Sequence, residues 1–129
     1  MEIQIINNEL LEQLHGKARA SERQRMNHDL RTSLADTSQR MLNALEPGTD
    51  VPIHQHTDTS ETVVCLQGAL FSIMYEDQGN GTFTETQRVK LCPREGTYGI
   101  QIPLGVWHTI EVLEPSVIFE AKDGAYKPR

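Results

Sequence analysis

The stretch Gly48-Thr49-Asp50-Val51-Pro52-Ile53-His54-Gln55-His56-Thr57-Asp58-Thr59-Ser60-Glu61-Thr62-Val63-Val64-Cys65-Leu66-Gln67-Gly68 decides how this chain is read. Its two histidines stand at i and i+2. On an extended segment side chains alternate with period two, so His54 and His56 point to one side, their Cα atoms roughly 6.5 Å apart. Both imidazoles can then converge on one ion. Glu61 opens an apolar run after the polar residues 57–60 and can face inward beside the pair. A further histidine, His108, follows Pro103-Leu104-Gly105-Val106-Trp107. Three neutral imidazoles and one carboxylate suit one divalent transition metal (Zn, Fe, Mn or Ni) and leave coordination positions open for water or substrate. Asp58 is a competing carboxylate, but its Thr- and Ser-rich surroundings mark it as a turn former.

Outward from this stretch the pattern is one of short strands. Segments near 23–30, 39–45, 51–56, 61–67, 69–76, 82–91, 98–102, 106–113 and 116–121 are rich in Val, Ile, Thr and aromatics and are bounded by turn signals. Glu46-Pro47-Gly48-Thr49 is a turn with a fixed proline φ followed by a permissive glycine, and Asp77-Gln78-Gly79-Asn80-Gly81 reads as a hairpin loop. Before them, residues 2–6 predict a short strand. Asn7 or Asn8 caps a helix from about Glu9 to Arg19, with Leu10, Leu11 and Leu14 on one side. The expectation is an all-β sandwich or barrel at residues 23–129, preceded by a strand-and-helix extension at residues 1–22.

Composition narrows the class. A chain of 129 residues with 37% hydrophobic residues builds a single core. Twelve Lys and Arg against eighteen Asp and Glu give a net charge of −6, which argues against non-specific nucleic-acid binding. The longest apolar run is Val63-Val64-Cys65-Leu66, far short of the ~20 residues that span a bilayer. The first residues lack the basic start and apolar stretch of a secretory signal. Cys65 and Cys92 are too few for a disulfide framework and read as reduced packing residues of a cytoplasmic protein. Charge is nonetheless uneven: residues 15–40 carry six cations (Lys17, Arg19, Arg23, Arg25, Arg31, Arg40) against three anions (Glu22, Asp29, Asp36).

Residues 48–68 match the first motif of the cupin superfamily, and residues 96–108 resemble the second. The resemblance implies a small jelly-roll β-barrel with a short N-terminal helix, and a metal held inside it by His54, His56, Glu61 and His108. Two departures stand in the second motif. Six residues lie between Gly96 and Pro103 where five are usual, predicting a one-residue bulge, and Ile110-Glu111-Val112 occupies the place of a common Asn. A narrower similarity covers about residues 23–128. Arg25-Met26-Asn27-His28, Gln39-Arg40-Met41-Leu42-Asn43-Ala44-Leu45-Glu46-Pro47-Gly48-Thr49, Trp107-His108-Thr109 and Ala125-Tyr126-Lys127-Pro128 resemble the WbuC family. That family comprises small cupin-fold metalloproteins found with genes for bacterial surface-polysaccharide synthesis.

If residues 23–30 form a strand, Arg23, Arg25 and Asn27 share one face and Met26, His28 and Leu30 the other. Arg presents a planar donor fork suited to carboxylate and phosphate. Arg25, Asn27, His28, Arg40 and Asn43 are therefore the candidate substrate-binding residues, for a small anionic or polyol ligand such as a sugar nucleotide or sugar acid. His28 is either a ligand contact or a satisfied buried imidazole, and His15 reads as a surface residue. Trp107 should face opposite to His108, as a core or interface anchor, and Tyr98 and Gln101 are candidate barrel-lining residues. Glu111, Glu120 and His28 are the candidate general bases. Three functions fit: a metal-dependent enzyme of isomerase, epimerase or dioxygenase type; a non-enzymatic module whose metal anchors a ligand; and a barrel with a structural metal. The β-rich N-terminus, as an exchanged strand, predicts a homodimer.

Overall fold

The computed structural model describes residues 2–127; Met1, Pro128 and Arg129 lie outside the described residues, and with them the outer ends of both expected segments. Regular structure begins at Asn7. Its extended backbone (φ −143°) lets the side-chain oxygen accept the Leu10 N–H at 3.0 Å, which satisfies an otherwise orphaned donor of helix α1 (Asn8–Ala20). Glu9 in the first turn and Lys17 and Arg19 in the last complement the helix dipole. Leu11, Leu14 and Ala18 form the buried stripe. It packs on Leu42, Ala44 and Val117, with Met26, Leu30 and Phe119 around the edge.

Residues 2–6 are not a strand, contrary to expectation. They have no ladder partner among the described residues, and Ile3 and Ile5 stay 89% and 67% exposed. A β-strand needs a neighbouring edge to accept its backbone groups, and this segment has none among the described residues.

Six antiparallel strands follow: β1 (Arg25–Asp29), β2 (Ser38–Leu45), β3 (Glu61–Asp77), β4 (Phe83–Leu91), β5 (Gly99–Ile102) and β6 (Trp107–Asp123). They are ordered β1-β2-β6-β3-β4, with β5 also on β3. Two pairs of expected strands are each continuous: 61–67 with 69–76, and 106–113 with 116–121. Bulges carry the chain through. The β3–β6 register steps between Cys65 and Gln67 and again up to Leu70, opposite Pro115, which has no N–H to donate. Gly68 lies at φ +96°, and a Cβ there would collide with the Pro115 carbonyl and Ser116. Ser116 Oγ accepts the Ala69 N–H at 3.0 Å, so the bulge leaves that buried donor satisfied.

The bend lets the first half of β3 lie between β5 and β6 and its second half between β4 and β6. The sheet thus curls into a small jelly-roll barrel. Leu45, Val63, Cys65, Leu70, Leu91, Val112 and Ile118 fill its interior, and α1 covers the outer face of β1, β2 and β6. Cys65 and Cys92 are buried and unpaired, and burial pushes the Cys65 thiol up.

Three further expectations are corrected. Residues 51–56 are not a strand; only His54 makes a bridge. Tyr98 is 60% exposed and Gln101 is exposed, because Ile100 and Ile102 take the inward positions of β5. The anticipated bulge before Pro103 is missing from β5, which pairs with β3 without a register shift. Gly96 instead closes the 3-10 turn Pro93–Glu95 at φ 86°, beside a Cys92–Thr97 bridge.

Candidate metal centre

His54 reaches the barrel mouth through an isolated antiparallel bridge to the second residue of β6: its N–H donates to the His108 carbonyl at 3.0 Å, and the His108 N–H donates back at 2.8 Å. Directly opposed residues project to the same face, so the two imidazoles meet with ring centroids 4.3 Å apart. His56 follows two residues on. Its carbonyl accepts the Gly105 N–H at 2.8 Å, which ties the histidine loop to the turn ahead of β6. The His56 ring lies 5.3 Å from that of His54 and 5.5 Å from that of His108, and one nitrogen of each ring falls within 4.8 Å of the others.

Backbone carbonyls orient two of the rings. His54 Nδ1 lies 2.9 Å from the Pro52 oxygen and His108 Nδ1 lies 2.8 Å from the Val106 oxygen. With Nδ1–H donated there, each Nε2 keeps its lone pair for a ligand bond. Glu61, the first residue of β3, completes the cluster. Its Oε2 is 3.2 Å from His56 Nε2 and its Oε1 is 3.8 Å from His108 Nε2.

Burial pushes the pKa of His108 below the ordinary 6.5, although the Val106 carbonyl and Glu61 pull the other way. For Glu61 burial pushes upward, but the adjacent His56 and the Lys122 ammonium, 3.7 Å away, outweigh it and hold the carboxyl below the ordinary 4.5. The centre therefore pairs neutral His108 with an ionised Glu61 near neutral pH. His56 Nε2 and His108 Nε2 are buried without an aligned hydrogen bond. Buried polar atoms seldom go unpartnered, and two imidazole nitrogens beside a carboxylate match the donor preferences of a divalent transition ion. The residues present fit such an ion.

A cavity of about 280 Å³ opens over the cluster. Alternation along β1 turns Arg25 and Asn27 toward it, with Arg23 just before the strand; alternation along β2 adds Gln39, Met41 and Asn43. His28 and Arg40 lie outside this wall. They sit at the opposite parity, the face that Leu42 and Ala44 bury against α1. His28 Nε2 is 3.3 Å from Gln4 Oε1, and Arg40 pairs with Asp36 at 3.1 Å. Arg25 donates to the Asp50 carbonyl at 2.7 Å, which fixes its position at the rim.

Other residues fall into place around this wall. Glu120 and Lys122 of β6 line the cavity, whereas Glu111 lies outside and pairs with Arg88 at 2.9 Å. Gln39, Met41 and Lys122 were not among the candidates; period-two counting back from Asn43 and on from Glu120 would have found them. Asp58 also lines the cavity, in a bend, and pairs with Lys127 at 3.5 Å. His15 is half-buried rather than superficial, 2.7 Å from Gln67 Oε1. Trp107 packs against Phe83 with centroids 5.1 Å apart. Behind the histidines a second space of about 30 Å³ is walled mainly by apolar side chains, Val63, Leu70, Leu91 and Ile118 among them.

A curled antiparallel barrel with a histidine cluster at its mouth defines the cupin fold, and solved structures agree. The chain is similar to a cupin superfamily protein from Desulfitobacterium hafniense (19% identity, 80% of each chain covered, TM-score 0.59). It is also similar to KdgF from a Halomonas species (16% identity, 79% of this chain and 82% of that one, TM-score 0.60). A third similar structure is an oxalate oxidase in complex with the substrate analogue glycolate (13% identity, 84% of this chain but 55% of that one, TM-score 0.63). Residues 6–89 match the family described as a domain of unknown function, DUF6016, and the chain belongs to that family. No curated protein matches it. Among the described residues, no helix is long and apolar enough to cross a membrane.

Proposed function

We propose that this protein holds one divalent transition metal on His54, His56, Glu61 and His108 and acts on a small, anionic, sugar-like molecule in the cavity above them. The observation that carries this reading is the convergence of three imidazole nitrogens within 4.8 Å of one another at a cavity bearing Arg25, Asn27 and Asn43. When bound, such an ion supplies Lewis acidity to a carbonyl or hydroxyl oxygen. The chain supplies the rest. Arg25 orients an acid group, Asn27 and Asn43 meet hydroxyls, and Glu120 on the same wall is placed to accept and return a proton. The apolar space behind His54 and His108 limits water on the inner side.

Two similarities support the ligand class. One is the glycolate, a small hydroxy acid, in the oxalate oxidase structure. The other is the WbuC-like run 39–48, which favours surface-polysaccharide metabolism. The same reading makes the protein a cytoplasmic homodimer, with residues 23–129 as the working barrel and residues 1–22 as its extension. Purified protein is first analysed for bound metal, then incubated with sugar acids and nucleotide sugars. Turnover that disappears in His54→Ala supports an enzyme; saturable binding without turnover makes the barrel a metal-anchored binding module. Protein that retains no transition metal after reconstitution refutes both.

A further inference from the structure

The cavity rim distinguishes two ligands that the proposed function leaves together, the free sugar acid and the nucleotide-linked sugar. Five arginines of this chain, Arg19, Arg31, Arg40, Arg88 and Arg94, each stand against a carboxylate. Arg23 lines the cavity with no carboxylate partner among the described residues. Between Arg23 and Arg25 stands Gln24, whose φ of 58° is the only positive value at a non-glycine among the described residues. Left-handed backbone at a side chain of this size is uncommon and persists where surrounding contacts enforce it. Here they do: the Gln24 carbonyl accepts the Glu46 N–H at 2.9 Å, while its own N–H and side-chain amide both donate to the Ser21 carbonyl. This held residue sets the two guanidinium-bearing positions at one edge of the cavity.

Charge and size agree. The cavity carries four cations, Arg23, Arg25, Lys122 and Lys127, against three carboxylates, in a chain whose net charge is −6. Lys122 is matched by Glu61 and Lys127 by Asp58, so the cation left for a ligand is at the Arg23 rim. A volume of about 280 Å³ lies just under the roughly 300–1,000 Å³ of drug-sized ligand sites. One sugar ring and its carboxylate fill such a space, and an added nucleoside diphosphate has to lie outside it, beyond the rim. Tyr126 is the one Phe, Tyr or Trp among the lining residues described, and the Arg31 guanidinium holds one face of its ring at 5.8 Å, so the described lining offers a nucleobase no pair of aromatic rings to lie between.

Building on the proposed function, we infer that the Arg23–Arg25 rim selects a free monosaccharide-sized carboxylic acid and rejects nucleotide-linked sugars. Arg23 is the specificity-determining residue, through charge-assisted bonds to the ligand carboxylate. Calorimetric titration of the metal-reconstituted protein with glucuronate, galacturonate, gluconate, glucose and UDP-glucuronate tests it. At least one free acid binds, with both glucose and UDP-glucuronate weaker by about tenfold or more, and Arg23→Gln weakens the acid by a similar factor, the loss of one charge-assisted contact. Arg23 is exposed, so the variant folds, and its metal content by elemental analysis equals that of the parent. UDP-glucuronate binding as tightly as the free acids overturns the inference, as does an Arg23→Gln variant that binds the acid unchanged, or failure of all three acids to bind. If the protein takes up no metal yet binds a free acid through Arg23, the metal reading fails and this inference stands.

Discussion

His54 and His108 exchange both backbone hydrogen bonds, at 3.0 and 2.8 Å, and their imidazole rings sit 4.3 Å apart. One bridge therefore joins the histidine loop to the start of β6 and sets two of the proposed ligands at once. The bridge is made of backbone hydrogen bonds, so removing one imidazole leaves it in place. His108→Ala should reduce bound metal from about one ion per chain to less than a tenth of that, with the far-ultraviolet circular dichroism of a folded β-protein retained. Elemental analysis beside the spectrum checks it; an unfolded apo variant would favour a structural metal.

Glu61 and Lys122 are paired in the β3–β6 register and their charges lie 3.7 Å apart. Removing the carboxylate charge leaves a mostly buried ammonium unmatched. Glu61→Gln should destabilise the metal-free protein by about 1–3 kcal/mol in urea unfolding. The added Lys122→Met change should recover part of that loss, since the double variant leaves no orphaned charge.

Acid should weaken the metal-free protein in two stages. His108 in the fold lies below 6.5, so as pH falls through 6.5 the unfolded chain takes up a proton first and stability declines toward the folded value. Glu61, held below 4.5, adds a second decline under pH 4.5. Above 6.5 neither group contributes a pH dependence. Urea midpoints from pH 8 down to about pH 3 read this out, and His108→Ala should flatten the upper stage.

Gly68 and Gly79 both have positive φ, at 96° and 82°, yet differ in surroundings. A Cβ at Gly68 strikes the Pro115 carbonyl, while one at Gly79 meets nothing within 4 Å. Gly68→Ala should cost about 2–4 kcal/mol and Gly79→Ala about 1 kcal/mol, as judged by denaturant midpoints.

Leu14 tests whether α1 belongs to the working fold. It is 3% exposed against β2 and β6. Leu14→Ala should destabilise by about 2–4 kcal/mol while leaving metal content unchanged, because the cluster it supports lies across the sheet from the histidines.

Much of the site was legible in one dimension. His54-x-His56, Glu61 and His108 carry donor chemistry at spacings that survive any reasonable register, and Asn7 announces α1 through its capping side chain. Less legible was where strands end. Gly68 and Pro115 look like breaks in sequence, yet opposed bulges absorb both and the strands run on, because the ladder on either side outweighs one irregular pair. The side on which His28 and Arg40 stand was hidden for a related reason: parity assigns residues to faces, but only the docking of α1 on Leu42 and Ala44 says which face looks away from the cavity.

The sequence by itself determined the class of fold, the capped helix and the chemistry of the histidine cluster, since all three rest on local periodicity and residue type. Tertiary structure alone decided that Lys122 stands beside Glu61 and that, among the described residues, Arg23 meets no carboxylate at the cavity rim and residues 2–6 find no edge. Those are outcomes of register and closure, which depend on contacts between segments far apart in the chain, and no window along the sequence contains them.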